Sequence, residues 1–170
     1  MSINMWYECI SQERLDRLIA ETWEDRAAVE RYLLREGEER YEKQPPKLWT
    51  ERNWQGLHSL LTWGEWANQP LLGTAILGGK PFGWGYCYSD EPARYFTAEQ
   101  VREIADALQM VEEDALRRSC DSVALNAAGV PPVGGWREGD FEFLWKTFCD
   151  IRDFFQVARG YNDAMLVHIC

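Results

Sequence analysis

At 170 residues the chain fits one domain, and its ordinary mix of 46% apolar and 27% charged residues excludes a disordered or fibrous polypeptide. Its formal net charge of −10 repels phosphate backbones and anionic lipid headgroups, which disfavours generic binding to nucleic acid or to a membrane surface. Five dispersed cysteines without a Cys-x-x-Cys pair read as free thiols, and no apolar run approaches the roughly 20 residues of a membrane span, so a cytoplasmic location is expected.

The chain opens with a short apolar and aromatic stretch, Ile3 to Ile10, that predicts a strand ending at Ser11, a helix-capping residue. Beyond it Leu15, Leu18, Ile19 and Trp23 fall three and four apart and predict one buried stripe, with Glu13, Arg14, Asp16 and Arg17 facing water. A second helix is expected from about Glu24, with Ala27, Ala28, Tyr32 and Leu33 as its buried side, and it dissolves at Pro45-Pro46. Asn53 is a candidate cap for a short third helix on which Trp54, Leu57, His58 and Leu61 share a face, and Gly64 is its candidate stop. Leu71 to Leu77, bracketed by Pro70 and Gly78-Gly79, predicts a buried strand.

Gly78 to Pro92 is rich in glycine, proline and tyrosine and reads as a long loop, the first place to look for a site. A short extended piece at Arg94 to Phe96 leads to Thr97-x-x-Gln100, a capping box that opens a helix burying Val101, Ile104, Ala105 and Leu108. Short helices follow over Glu112 to Arg118 and from Asp121. The best-patterned helix begins at Phe141 and continues through Leu144, Trp145, Phe148, Arg152 and Phe155, with Gly160 as its expected left-handed cap. Asn162-Asp163 then turns into a terminal strand, Ala164 to Ile169. The expected fold is a single α+β domain over residues 1–170: a small mixed sheet containing both chain termini, covered by about five or six helices.

The order of several signatures resembles the YfbM-like proteins, a bacterial domain family of unknown function. They are Ser11-Gln12-Glu13-Arg14-Leu15, then Trp54-Gln55-Gly56-Leu57-His58-Ser59-Leu60-Leu61-Thr62, and Ala75-Ile76-Leu77-Gly78-Gly79. Pro92-Ala93-Arg94-Tyr95-Phe96-Thr97 and the Phe141 to Ile169 helix and strand complete the set. The sequence departs from the family where Ser89-Asp90-Glu91 stands in place of a glycine-rich turn. The resemblance implies a single-domain α+β fold, with no established activity and no catalytic residues to carry over.

Chemistry-bearing patterns are sparse. Gly78-Gly79-Lys80 is not a phosphate-binding loop, because Thr74 and Pro81 occupy the places of its first glycine and its Ser or Thr. His58 and His168 are the only imidazoles; neither has ligand-spaced neighbours, so no metal or cofactor is expected and a hydrogen-bonded structural role is the simpler reading of both. Cys87 is the one thiol in the Gly78 to Pro92 segment, without a local nucleophile signature. Asp90 and Glu91 are the carboxylates worth following, with Arg94 as a structural partner for either.

Aromatic content is the anomaly: nine tryptophans, of which Trp49, Trp54, Trp63, Trp66 and Trp84 crowd the middle third. Tryptophan and tyrosine supply core contact area, and they also dominate binding hot spots. The leading expectation is therefore a binding or interaction protein with an aromatic-rich acidic surface, such as an intracellular inhibitor of a basic protein partner like a toxin domain. Its candidate residues are Trp54, His58, Trp84, Tyr86, Tyr88, Asp90, Arg94 and Tyr95. The alternative is a small hydrolase or transferase with His58 as acid or base in a pocket shared with Gly78 to Tyr95, which leaves a small-molecule ligand open; a purely structural subunit is the third class.

Overall fold

Both ends of the chain meet in the middle of one sheet. The computed structural model describes residues 4–21, 26–35, 41, 45–51, 53–63, 66–82, 92–131 and 134–169. Strand β1 (Met5–Ile10) pairs with β5 (Ala164–Ile169) on one side and with β2 (Lys47–Thr50) on the other. Strands β4 (Arg94–Phe96) and β3 (Lys80–Pro81) complete the order β2-β1-β5-β4-β3. The first and last strands are adjacent, and both termini lie in the sheet as expected. Every pairing is antiparallel, so the sheet is not the mixed one expected.

Eight α-helices accompany the sheet among the described residues, more than the five or six expected. They are α1 (Gln12–Ala20), α2 (Arg26–Arg35), α3 (Trp54–Thr62), α4 (Pro70–Leu77), α5 (Ala98–Gln109), α6 (Glu113–Arg118), α7 (Ser122–Ala127) and α8 (Phe141–Tyr161). The sheet is covered on both faces. Met5, Tyr7, Cys9, Met165 and Val167 point into the main core with α3 to α8, while Ile10, Ala164 and Leu166 meet Leu15, Leu18 and Val29 of α1 and α2 in a smaller one. Double-sided burial explains why β5 is apolar at almost every position rather than alternating.

Helix ends follow local chemistry. The Ser11 hydroxyl accepts the Arg14 amide, Asp121 accepts the amides of Val123 and Ala124, and Thr97 and Gln100 form the expected reciprocal box. The α5 stripe buries Val101, Ile104, Ala105 and Leu108 as its spacing requires.

Other expectations are corrected. Leu71 to Leu77 is helix, not strand: Pro70 occupies a first-turn position where its missing amide costs nothing, and Gly78, at φ 84°, stops the helix. The fully buried Tyr7 hydroxyl donates to the carbonyls of Ala75 and Ile76, both at 3.2 Å, satisfying carbonyls in the last turn of that short helix. Asn53 has helical backbone angles and makes no capping bond. Helix α8 runs past Gly160 to Tyr161, and Asn162 takes the left-handed position (φ 58°), with the Asp163 amide donating to the Ala158 carbonyl. Arg14 is buried rather than water-facing: it lies four positions before Leu18 on the buried stripe, donates to the Tyr32 carbonyl at 3.1 Å, and sits over the Tyr32 ring. Ile19 is exposed, and in α2 Val29 is buried while Ala27 is exposed. Trp23, Gly64 and the side chain of Leu33 lie outside the described residues.

Candidate functional site

The register of β1 and β2 decides what the sheet offers at its edge. The Cys9 amide donates to the Pro46 carbonyl at 3.0 Å, which makes that pair a bonded one. Bonded and non-bonded pairs alternate in an antiparallel ladder, so Leu48 and Thr50 bond β1 while the backbone groups of Lys47 and Trp49 point away from it. Side chains of non-bonded pairs approach closely. Trp49 accordingly lies edge-on to Trp6 with ring centroids 4.8 Å apart, and Lys47 Nζ reaches Glu8 Oε1 at 2.9 Å.

Beside this edge runs a cleft of about 290 Å³. Trp49, Thr50, Glu51 and Asn53 form one wall, and Phe143, Lys146, Thr147 and Asp150 of α8 form the other. The α8 residues fall at i, i+3, i+4 and i+7, which places them on one stripe of the helix, about a third of a turn around from the stripe of Leu144, Phe148, Ile151 and Phe155 that fills the core. Two large apolar residues stay open to solvent here: Phe143 is 62% exposed and Trp49 50%. Sites that enclose a small organic ligand span about 300–1,000 Å³, so this volume suits one or two side chains of a larger partner better than a cofactor.

The charges around the cleft are ordered. Lys146 Nζ binds Asp150 Oδ2 at 2.5 Å one helical turn away, and that bond raises the ammonium pKa, keeping it charged. The exposed Glu51 carboxylate has no partner among the described residues. The Glu51 carbonyl does accept the Trp54 amide, which fixes the turn that carries the strand into α3.

The middle-third tryptophans part company. Trp54 and Trp66, 7% and 8% exposed, belong to the main core, while Trp63 is exposed at the end of α3. The expected site residues do not converge in the cleft. His58 packs toward α4, where a β-carbon on Gly73 would stand 3.6 Å from its Nε2, and burial lowers the imidazole pKa. Arg94 donates to the Gly79 carbonyl at 3.2 Å on the main-core side of β4; Tyr95 pairs in register with Leu166 and lies against the smaller core. Trp84, Tyr86, Tyr88 and Asp90, with Cys87 and Glu91, lie outside the described residues.

Thiols and metal ligands add nothing to the cleft. Burial pushes the Cys120 and Cys149 thiols up, away from the reactive thiolate form, and Cys9 is buried in the core. Among the described residues no group of three or more His, Cys, Asp or Glu side chains is placed to hold a metal ion, and no helix is long and apolar enough to cross a membrane.

Sequence reasoning missed Phe143 and β2. A signal for the first was present: Phe143 lies between Phe141 and Leu144 but off their buried stripe, and a large aromatic ring on the solvent side of a regular helix requires explanation.

Residues 1–168 match a family described as a domain of unknown function (DUF1877), and the chain belongs to that family. The solved structure of YfbM from Escherichia coli, itself a protein of unknown function, is similar over 100% of both chains with a TM-score of 0.71 at 16% identity, a likeness of fold. The resemblance to YfbM-like proteins read from the sequence is thereby borne out, as is the α+β class. No curated protein sequence matches the chain.

Proposed function

We propose that this family member is a cytoplasmic binding protein that recognises a basic protein partner through the cleft between β2 and α8. The observation that carries the reading is the pair Trp49 and Phe143, two large aromatic residues left open to solvent among those that line one cleft. An exposed aromatic ring gains about 1.5–3 kcal/mol on full burial, which makes each ring a natural anchor for a partner. The net charge of −10 and the Glu51 carboxylate at the cleft, unpaired among the described residues, favour a cationic partner and speed its approach. Inhibition of a basic enzyme or toxin domain is one outcome such binding would have.

Affinity capture from source-cell lysate tests the proposal, with the wild-type chain on one column and the Trp49→Ala/Phe143→Ala chain on another. A stoichiometric basic protein should elute from the wild-type column as salt rises and be absent from the variant. Recovery of the bait alone at low and high salt, or equal retention on both columns, would remove the reading.

A further inference from the structure

The two edges of the sheet are chemically different. On the β3 edge the pairing Pro81↔Arg94 lies between the bonded positions Lys80↔Tyr95 and Phe82–Ala93, so the residue whose backbone faces outward there is Pro81, which has no N–H to offer. That edge is two residues long and blunted at its outward position, a standard protection against pairing with other chains. The β2 edge lacks this protection. Its outward positions are Pro45, Lys47, Trp49 and Glu51: the proline closes one end, the Glu51 carbonyl is taken by the Trp54 amide at the other, and among the described residues nothing pairs with the backbone groups of Lys47 and Trp49 between them.

This open stretch borders the cleft. A strand laid along it would run between β2 and the Phe143–Asp150 stripe of α8, with alternate side chains directed into the concavity and away from it. We infer that the partner is recognised by strand addition: an extended segment pairs its backbone with Lys47 and Trp49, sets one apolar side chain against Phe143, and sets a basic side chain near Glu51. The inference rests on the binding reading above and supplies its mode. Main-chain bonds to an edge give affinity and pockets for alternate side chains give selectivity, so a register needs few anchors. The occupant is a cationic segment of another protein, not a second copy of this chain, because β2 pairing with β2 would bring two bodies of charge −10 together.

The test uses a displayed library of random peptides panned against the full chain, with the Phe143→Ala chain for counter-selection. Winners should carry an apolar and a basic residue two positions apart, where both side chains enter the concavity. Methylating single amides on the face that pairs should weaken binding roughly fivefold per group, because each methyl removes one donor. Hydrogen exchange should slow about tenfold or more at the Lys47 and Trp49 amides when peptide is bound, while Leu48 and Thr50, already bonded to β1, change little. The inference is overturned if no Phe143-dependent binder emerges, if N-methylated peptides bind as well as their parents, or if sedimentation shows a dimer with those amides protected without peptide. A lysate partner still captured through Trp49 and Phe143 after any of these results would leave the binding function standing and remove only the strand-addition mode.

Discussion

Gly56→Ala places a methyl group inside α3, where alanine normally stabilises a helix by about 1 kcal/mol over glycine. Here the sign reverses. The new β-carbon would stand 2.4 Å from Cζ2 and Cη2 of Trp136 and 3.2 Å from Leu144 Cδ2, so the indole must move. Trp136 is pinned at three points: its ring N–H donates to the Val130 carbonyl at 2.9 Å, its backbone amide donates to Asn126 Oδ1 at 2.6 Å, and its carbonyl accepts from Asn126 Nδ2 at 2.9 Å. Overpacking costs about 1–3 kcal/mol, and a disturbed buried hydrogen bond about 1 more. Set against the helix gain, the net loss is about 1–3 kcal/mol, read in urea unfolding as a lower midpoint at unchanged slope. At this chain length each kcal/mol lowers Tm by about 2–4 °C. Stability equal to or above wild type would refute the claim that Trp136 dictates the glycine in Trp54-Gln55-Gly56-Leu57-His58.

Other consequences follow from single groups. Tyr7→Phe keeps the ring packed against Phe154 and Phe155 but removes the hydroxyl that serves Ala75 and Ile76, and calorimetry should show a loss of about 1–2 kcal/mol; no loss would mean α4 does not need that clamp. His58 has its pKa lowered by burial, so on acidification the unfolded chain takes the proton first. The stability held by its neutral form is complete above about pH 6.5 and declines as pH falls from there toward the folded-state pKa. The stability profile of His58→Gln should therefore be flatter just below pH 6.5 than that of wild type, and parallel profiles would contradict the assignment. Cys120 and Cys149, both with raised pKa, should alkylate more slowly at neutral pH than a free model thiol when sites are mapped by mass spectrometry; rapid labelling would show them to be thiolates.

How much was legible follows from where the information sat. Ser11, the Thr97–Gln100 box, the α5 stripe and the terminal strand each carry a local pattern with one physical meaning, and the structure repeats them. Leu71 to Leu77 was misread because it is apolar on nearly every side. With Thr74 as its one polar side chain, too little to betray a period, a short helix inside a protein looks like a buried strand, and only Pro70 at its start told them apart. Strand β2 was missed because Lys47-Leu48-Trp49-Thr50 is brief and takes its strand identity from β1, far away in sequence. The cleft was illegible for the same reason, since it exists only where the end of β2 and the outer stripe of α8 meet. Trp49 belonged to the tryptophan surplus noticed in the composition, yet nothing local separated it from Trp54 and Trp66, which the core absorbs.

The claim that matters most is that Phe143 is kept at the surface for recognition and not for stability. Calorimetric titration of a captured basic partner into wild type and Phe143→Ala, with the melting temperature of each chain measured alongside, tests it directly. The account predicts affinity at least about tenfold weaker for the variant, with its melting temperature unchanged, because a ring 62% exposed contributes little to folding and much to a partner that covers it. Equal affinity, or a loss that merely tracks a fall in melting temperature, would contradict it.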